Sequence, residues 1–229
     1  MEMKFFSKNF HPTDFEFLQQ EIKLYQNVAD EMKYVPNQFN ELKNWECALM
    51  LKVIKQERVR RVLIIQNDTT PLPACCLSLG CVVTTMNEEE ISSLEETGTK
   101  YDLVVSLSLL HKIENDTKFF DKLLTFVKDD GMIGVTFDYH KTGKRLWEDD
   151  EHQRTYNINS IKCFIATGKL FGMEIYGEAA DYSYQGVHKF NYNISSIIMK
   201  KEKQCDISPN DADASLSLAK SGSQNGENL

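Results

Sequence analysis

The chain contains neither a GxxxxGK[ST] loop nor a GxGxxG turn. Without such glycines the backbone cannot close around a phosphate, which argues against ATP or dinucleotide chemistry. No apolar run approaches the roughly 18 residues of a membrane-spanning helix. Met1 to His11 is too polar for a secretory signal, which needs an uninterrupted apolar stretch. Cations are in deficit, with 26 Lys and Arg against 34 Asp and Glu and a net charge of -8. That balance makes nucleic acid an unexpected partner, because its affinity comes largely from Lys and Arg meeting phosphates. Six cysteines (Cys47, Cys75, Cys76, Cys81, Cys163 and Cys205) show no CxxC pair and no spacing with histidine that suggests zinc. Most lie in apolar stretches, where thiols behave as small hydrophobes. The expectation is a cytoplasmic protein without a membrane segment or resident metal.

The 229 residues suffice for one domain with a proper core and a modest tail. Residues 1–58 are expected to form a helical lead-in. Phe15, Leu18, Ile22 and Tyr25 recur at helical spacing, Pro36 interrupts, and Trp45, Leu49 and Val53 mark a second helix. That helix would cover one face of a sheet or fold over a ligand. Residues 59–200 alternate between apolar strands and helices. Arg61–Gln66 reads as a strand buried on both faces, and a helix from about Leu72 to Leu79 closes at Gly80. Cys81–Met86 is a second strand and 88–96 a short acidic helix. Asp102–Leu107 is a third strand, and Phe119, Leu123 and Val127 mark the helix after it. Asp129-Asp130-Gly131 reads as a turn before a fourth strand, Met132–Tyr139. Ile161, Ile165 and Leu170 mark a further helix ending near Gly172, and strands at 173–179 and 192–200 complete the set. The acidic run Glu148–Glu151 with His152 reads as a solvated loop, and Tyr182, Tyr184, Phe190 and Tyr192 as sheet packing. Residues 201–229, rich in Ser, Asn and Asp and without aromatics, are expected to be disordered.

Several segments, in order, resemble the class I S-adenosylmethionine (SAM) methyltransferases of the small-molecule and glycan type. Arg61–Pro73 is similar to that family's first strand and cofactor loop, and Ser78–Asn87 to the next helix end and second strand. Tyr101–Ile113 is similar to the fourth family strand with its following signature, and Phe119–Tyr139 to the helix and strand beyond it. The resemblance covers roughly residues 45 to 200. It implies an α/β Rossmann-like fold with a mostly parallel sheet and an antiparallel C-terminal hairpin. Only fourteen residues, 88 to 101, separate Asn87 from Asp102. At ~3.3 Å per strand residue and ~1.5 Å per helical residue, they cannot supply the family's helix, third strand and adenine-contacting loop together. The sheet is therefore expected to lack one edge strand.

The resemblance also implies where chemistry would sit. Gln66, Asp68, Thr69, Asn87 and Ser106 take the cofactor-binding positions, and His111, Asp138, Tyr139 and His140 the catalytic or acceptor positions. Gln66 and Asp68 stand where the family has glycines that allow close backbone approach. Ile64 stands for an acid in the first strand. Asn87, neutral, replaces the acid that holds the ribose hydroxyls. The expected function is therefore a methyltransferase-fold binding or scaffold module with a degenerate SAM site. The alternative is a divergent active enzyme using SAM on a small molecule or glycan, with a histidine as base. The open sheet edge makes a protein partner, or a homodimer through that edge, the expected association.

Overall fold

The computed structural model describes residues 7–8, 10–11, 13–34, 40–67, 69–94, 98–140, 155–177 and 193–202, without the side chains of 40–42. Pro36, Asp68, residues 141–154, the aromatic stretch 178–192 and residues 203–229 lie outside that set.

Arg61–Ile65 (β1) is buried along four of its five residues. Its side chains divide by period-two alternation. Val62 and Ile64 enter one core with Leu103 and Val105, while Leu63 and Ile65 enter another with Val104 and Ile133. A strand apolar on both sides needs cover on both sides, and it lies inside a sheet that holds six strands among the described residues. Val82–Met86 (β2), β1, Tyr101–Ser106 (β3) and Val127–Tyr139 (β4) run parallel, in that order. Asn193–Lys201 (β6) follows antiparallel to β4, and Met173–Ile175 (β5) antiparallel to β6. Along the stretch of β6 that β5 leaves uncovered, the N-terminal segment bonds to β6 directly: Phe10 N–H donates to the Ile194 carbonyl and Ser196 N–H to that of Lys8. The expected α/β fold, with an antiparallel ending and one strand fewer, is present. Between β2 and β3 the described residues hold a single short helix and no strand.

On the first face lie Asp14–Glu31 (α1), Asn40–Glu57 (α2) and Leu72–Ser78 (α3). From Trp45 to Leu51 every residue of α2 is buried, because the helix is clamped between the sheet and α1. Its approach to β4 is close: a Cβ on Gly134 would come 2.5 Å from Met50 Sδ. Leu18, Tyr25 and Ala29 form the inward stripe of α1. Asp14, 1% exposed, ties this layer together. Its carboxylate accepts from Trp45 Nε1 at 3.0 Å and from Lys8 Nζ at 2.7 Å. The second face carries Glu88–Ser93 (α4), Asp116–Leu124 (α5) and Ile158–Leu170 (α6). Four cysteines, Cys47, Cys75, Cys76 and Cys81, are buried free thiols in the first core. Among the described residues no helix is long and apolar enough to cross a membrane.

Two expectations need correction. Val127 does not end a helix but opens β4. Asp129-Asp130-Gly131 is not a turn between elements but a bulge inside β4. The register with β3 jumps from Tyr101↔Val127 to Leu103↔Met132, so three extra residues are absorbed there. Asp130 takes a left-handed φ of 66°. Gly131 has no room for a side chain, since a Cβ would lie 2.9 Å from the carbonyl oxygens of both Lys128 and Tyr101. A polar pair followed by glycine serves a bulge and a turn equally well.

Candidate functional site

The strand order reverses between β1 and β3, and in open α/β sheets ligands bind outside the carboxyl ends of the strands at such a reversal. Gln66, just past β1, donates its backbone N–H to the Met86 carbonyl at 3.0 Å. Its side-chain oxygen accepts from Thr70 Oγ1 at 2.8 Å. Thr69 is exposed. Asn87, just past β2, is the N-cap of α4 in a reciprocal capping box. Its Oδ1 accepts from Glu90 N–H at 2.8 Å, and its own N–H donates to Glu90 Oε2 at 2.7 Å. The two loops are also joined, because Asn67 Oδ1 accepts from Glu88 N–H at 3.3 Å. Ile64, the first-strand position in question, is 1% exposed and packs in the core.

Beside this crevice, at the ends of β3 and β4 and beneath α2, lies a buried polar cluster that the sequence did not reveal. Glu46, fully buried, accepts hydrogen bonds from Ser108 Oγ and Thr136 Oγ1. Its second oxygen meets Lys43 Nζ at 3.2 Å. Burial works against the Lys43 charge, but the carboxylate outweighs it, and the ammonium titrates above its ordinary range. Ser108 adopts a left-handed φ of 49°. Its N–H donates to Thr136 Oγ1 at 2.9 Å. One clue was present in the sequence: Glu46 is a lone charge within the apolar run Trp45–Leu51.

His111, in a short 3₁₀ turn (Leu110–Lys112) after β3, lies 3.8 Å from Asp138 through Nε2. Burial, reinforced by Lys112 and Lys43, lowers the imidazole pKa to about 3. Burial and the nearby Glu46 raise that of Asp138 to about 7. Near neutrality the contact therefore joins an uncharged imidazole to a half-protonated acid, not two fixed charges. Among the described residues His111 Nδ1 has no hydrogen-bond partner.

Tyr139 does not join this pair. Neighbours on a strand face opposite sides, so Thr136 and Asp138 look toward α2 while Phe137 and Tyr139 enter the other core. His140 is half-buried, with its N–H on the Tyr156 carbonyl. Ser106 is fully buried, and among the described residues its hydroxyl has no partner. The structure thus brings His111 and Asp138 together, and Gln66 and Asn87 flank the adjoining crevice. Asp68 lies outside the described residues. No group of three or more metal-ligating side chains occurs among the described residues. Two cavities lie elsewhere. One of about 330 Å³ opens at the amino ends of the strands between Arg60, Asp102 and Lys128. The other, of about 460 Å³, lies against β5 beside Glu174 and Tyr176.

No protein-family model matches the sequence, and no curated protein matches it. Solved structures do. A coclaurine N-methyltransferase bound to N-methylheliamine and SAH superposes with a TM-score of 0.52 at 13% identity, over 84% of this chain and 89% of that one. A Burkholderia thailandensis 1,6-didemethyltoxoflavin-N1-methyltransferase, with its substrate and S-adenosylhomocysteine bound, gives 0.53 at 11% identity, over 85% and 92%. The chain has the class I methyltransferase fold. At such identities the likeness shows the methyltransferase fold alone, and function has to be argued from the site.

Proposed function

We propose that the chain is a non-catalytic binding or scaffold module built on the methyltransferase fold. The observation that carries this reading is the Asn87 capping box. In the family pattern this position supplies an acid to the ribose hydroxyls. Here the Asn87 oxygen is committed at 2.8 Å to starting α4. Three further features support it. Gln66 stands where close backbone approach needs a glycine, and its side-chain oxygen is engaged by Thr70. Ile64 is apolar and buried. The described connection from β2 to β3 holds α4 but no strand. The residues present do not fit SAM.

Titrating the full chain with SAM and with S-adenosylhomocysteine in a calorimeter is the test. No binding tighter than about 1 mM is expected, whereas one-to-one binding near 1 μM would overturn the proposal.

One observation favours the alternative, a divergent SAM-dependent enzyme acting on a small molecule or glycan. Asp138, 3.8 Å from His111, titrates near neutrality, as a general acid or base requires. Methyl transfer also proceeds largely by positioning, so a strong base is not required. The same titration separates the two readings.

A further inference from the structure

β2 ends the sheet, pairing with β1 on one side; among the described residues nothing pairs with its other side. Val82 N–H donates to the Arg60 carbonyl, and the Met86 carbonyl accepts from Gln66 N–H, so Val82 and Met86 bond toward β1. Backbone groups alternate along a strand, so Thr84 also faces β1. Val83 and Thr85 aim their N–H and C=O groups outward. Val82-Val83-Thr84-Thr85-Met86 contains no charge and no proline, the devices that usually protect an edge. Val82 is 64% exposed, and Leu77 on neighbouring α3 is 59% exposed.

We propose that this edge is a homodimer interface, in which β2 of one copy pairs antiparallel with β2 of a second copy about a two-fold axis at Thr84. The outward groups set the register. Val83 of each copy faces Thr85 of the other in a hydrogen-bonded pair, and the two Thr84 residues face each other between those pairs. Four backbone hydrogen bonds form, and Val82 of each copy lies beside Met86 of the other. The inference stands apart from the question of SAM binding.

Charge selects a second copy over an unrelated strand. Arg58, Arg60 and Arg61 lie at the amino end of this edge, while Glu88, Glu89 and Glu90 open α4 at its carboxyl end. A two-fold antiparallel pairing brings each basic end beside its partner's acidic end. Arg60 is one strand inward, so it faces the partner's Glu88 across about 10 Å of backbone separation, which two long side chains span. A parallel arrangement would place like charges together.

Sedimentation of the full chain from about 1 to about 100 μM should show a monomer–dimer equilibrium. Thr84→Lys places two ammonium groups opposite each other and should weaken the dimer roughly tenfold or more. Arg60→Glu should weaken it too, and adding Glu88→Arg in the same chain should restore it. As a check independent of those variants, Thr84→Cys should give a disulfide-linked dimer on mild oxidation at a yield well above that of wild type, whose own thiols set the baseline. A monomer throughout, or a dimer unaffected by Thr84→Lys and not cross-linked through position 84, would overturn the interface.

Discussion

His111 and Asp138 are perturbed in opposite senses, and the two effects mask each other. The unfolded chain protonates His111 below 6.5, the folded chain only below about 3, so His111 makes stability rise with pH across that interval. The folded chain keeps the Asp138 proton up to about 7, against 3.8 when unfolded, so Asp138 makes stability fall as pH rises from 3.8 to about 7. Between 3.8 and 6.5 the slopes cancel. Measured against wild type, Asp138→Asn should therefore gain stability with rising pH, and His111→Asn should lose it, each by roughly 1.4 kcal/mol per pH unit. Urea unfolding of the three proteins at several pH values checks this, and parallel curves would contradict it. Glu46→Ala leaves Lys43, Ser108 and Thr136 without their common acceptor and should cost about 2–4 kcal/mol, with Glu46→Gln milder. The midpoint should shift at constant m. The placement of His111 and Asp138 at adjoining strand ends was legible because the strands before them were. The role of Glu46 was not, since its hydroxyl partners lie 62 and 90 residues away in sequence.

Helix α2 shows what periodicity conveys and what it omits. Spacing located the helix, and its continuous apolar middle agreed with a buried position. The contact with β4, however, depends on the missing side chain of Gly134, whose partner Met50 is distant in sequence. Gly134→Ala drives a methyl onto the Met50 sulfur and should destabilise by about 1–3 kcal/mol. Shortening Met50 to Val in the same chain should recover part of that loss, measured by thermal unfolding. Additive losses in the double variant would contradict the contact. The bulge in β4 escaped the sequence for a related reason. Asp129-Asp130-Gly131 has the chemistry of a tight reversal, and only pairing with β3 turns it into extra residues within one strand.

At the scale of the whole molecule, the number of strands followed from the alternation of apolar runs and from one short connection, whereas their order comes from the pairing in the sheet. Fourteen residues cannot hold a helix and another strand with its loop, and β2 consequently ends the sheet. That one shortening leaves open the edge proposed to dimerise. After β1 and β2 the two loops are joined through Asn67 and Glu88, and the Asn87 side chain caps α4. The polar pair His111 and Asp138 lies on the neighbouring side. Calorimetric titration of the full chain with SAM tests the proposed binding-module reading most directly. The expected result is no binding tighter than about 1 mM, and saturable one-to-one binding near 1 μM would contradict it.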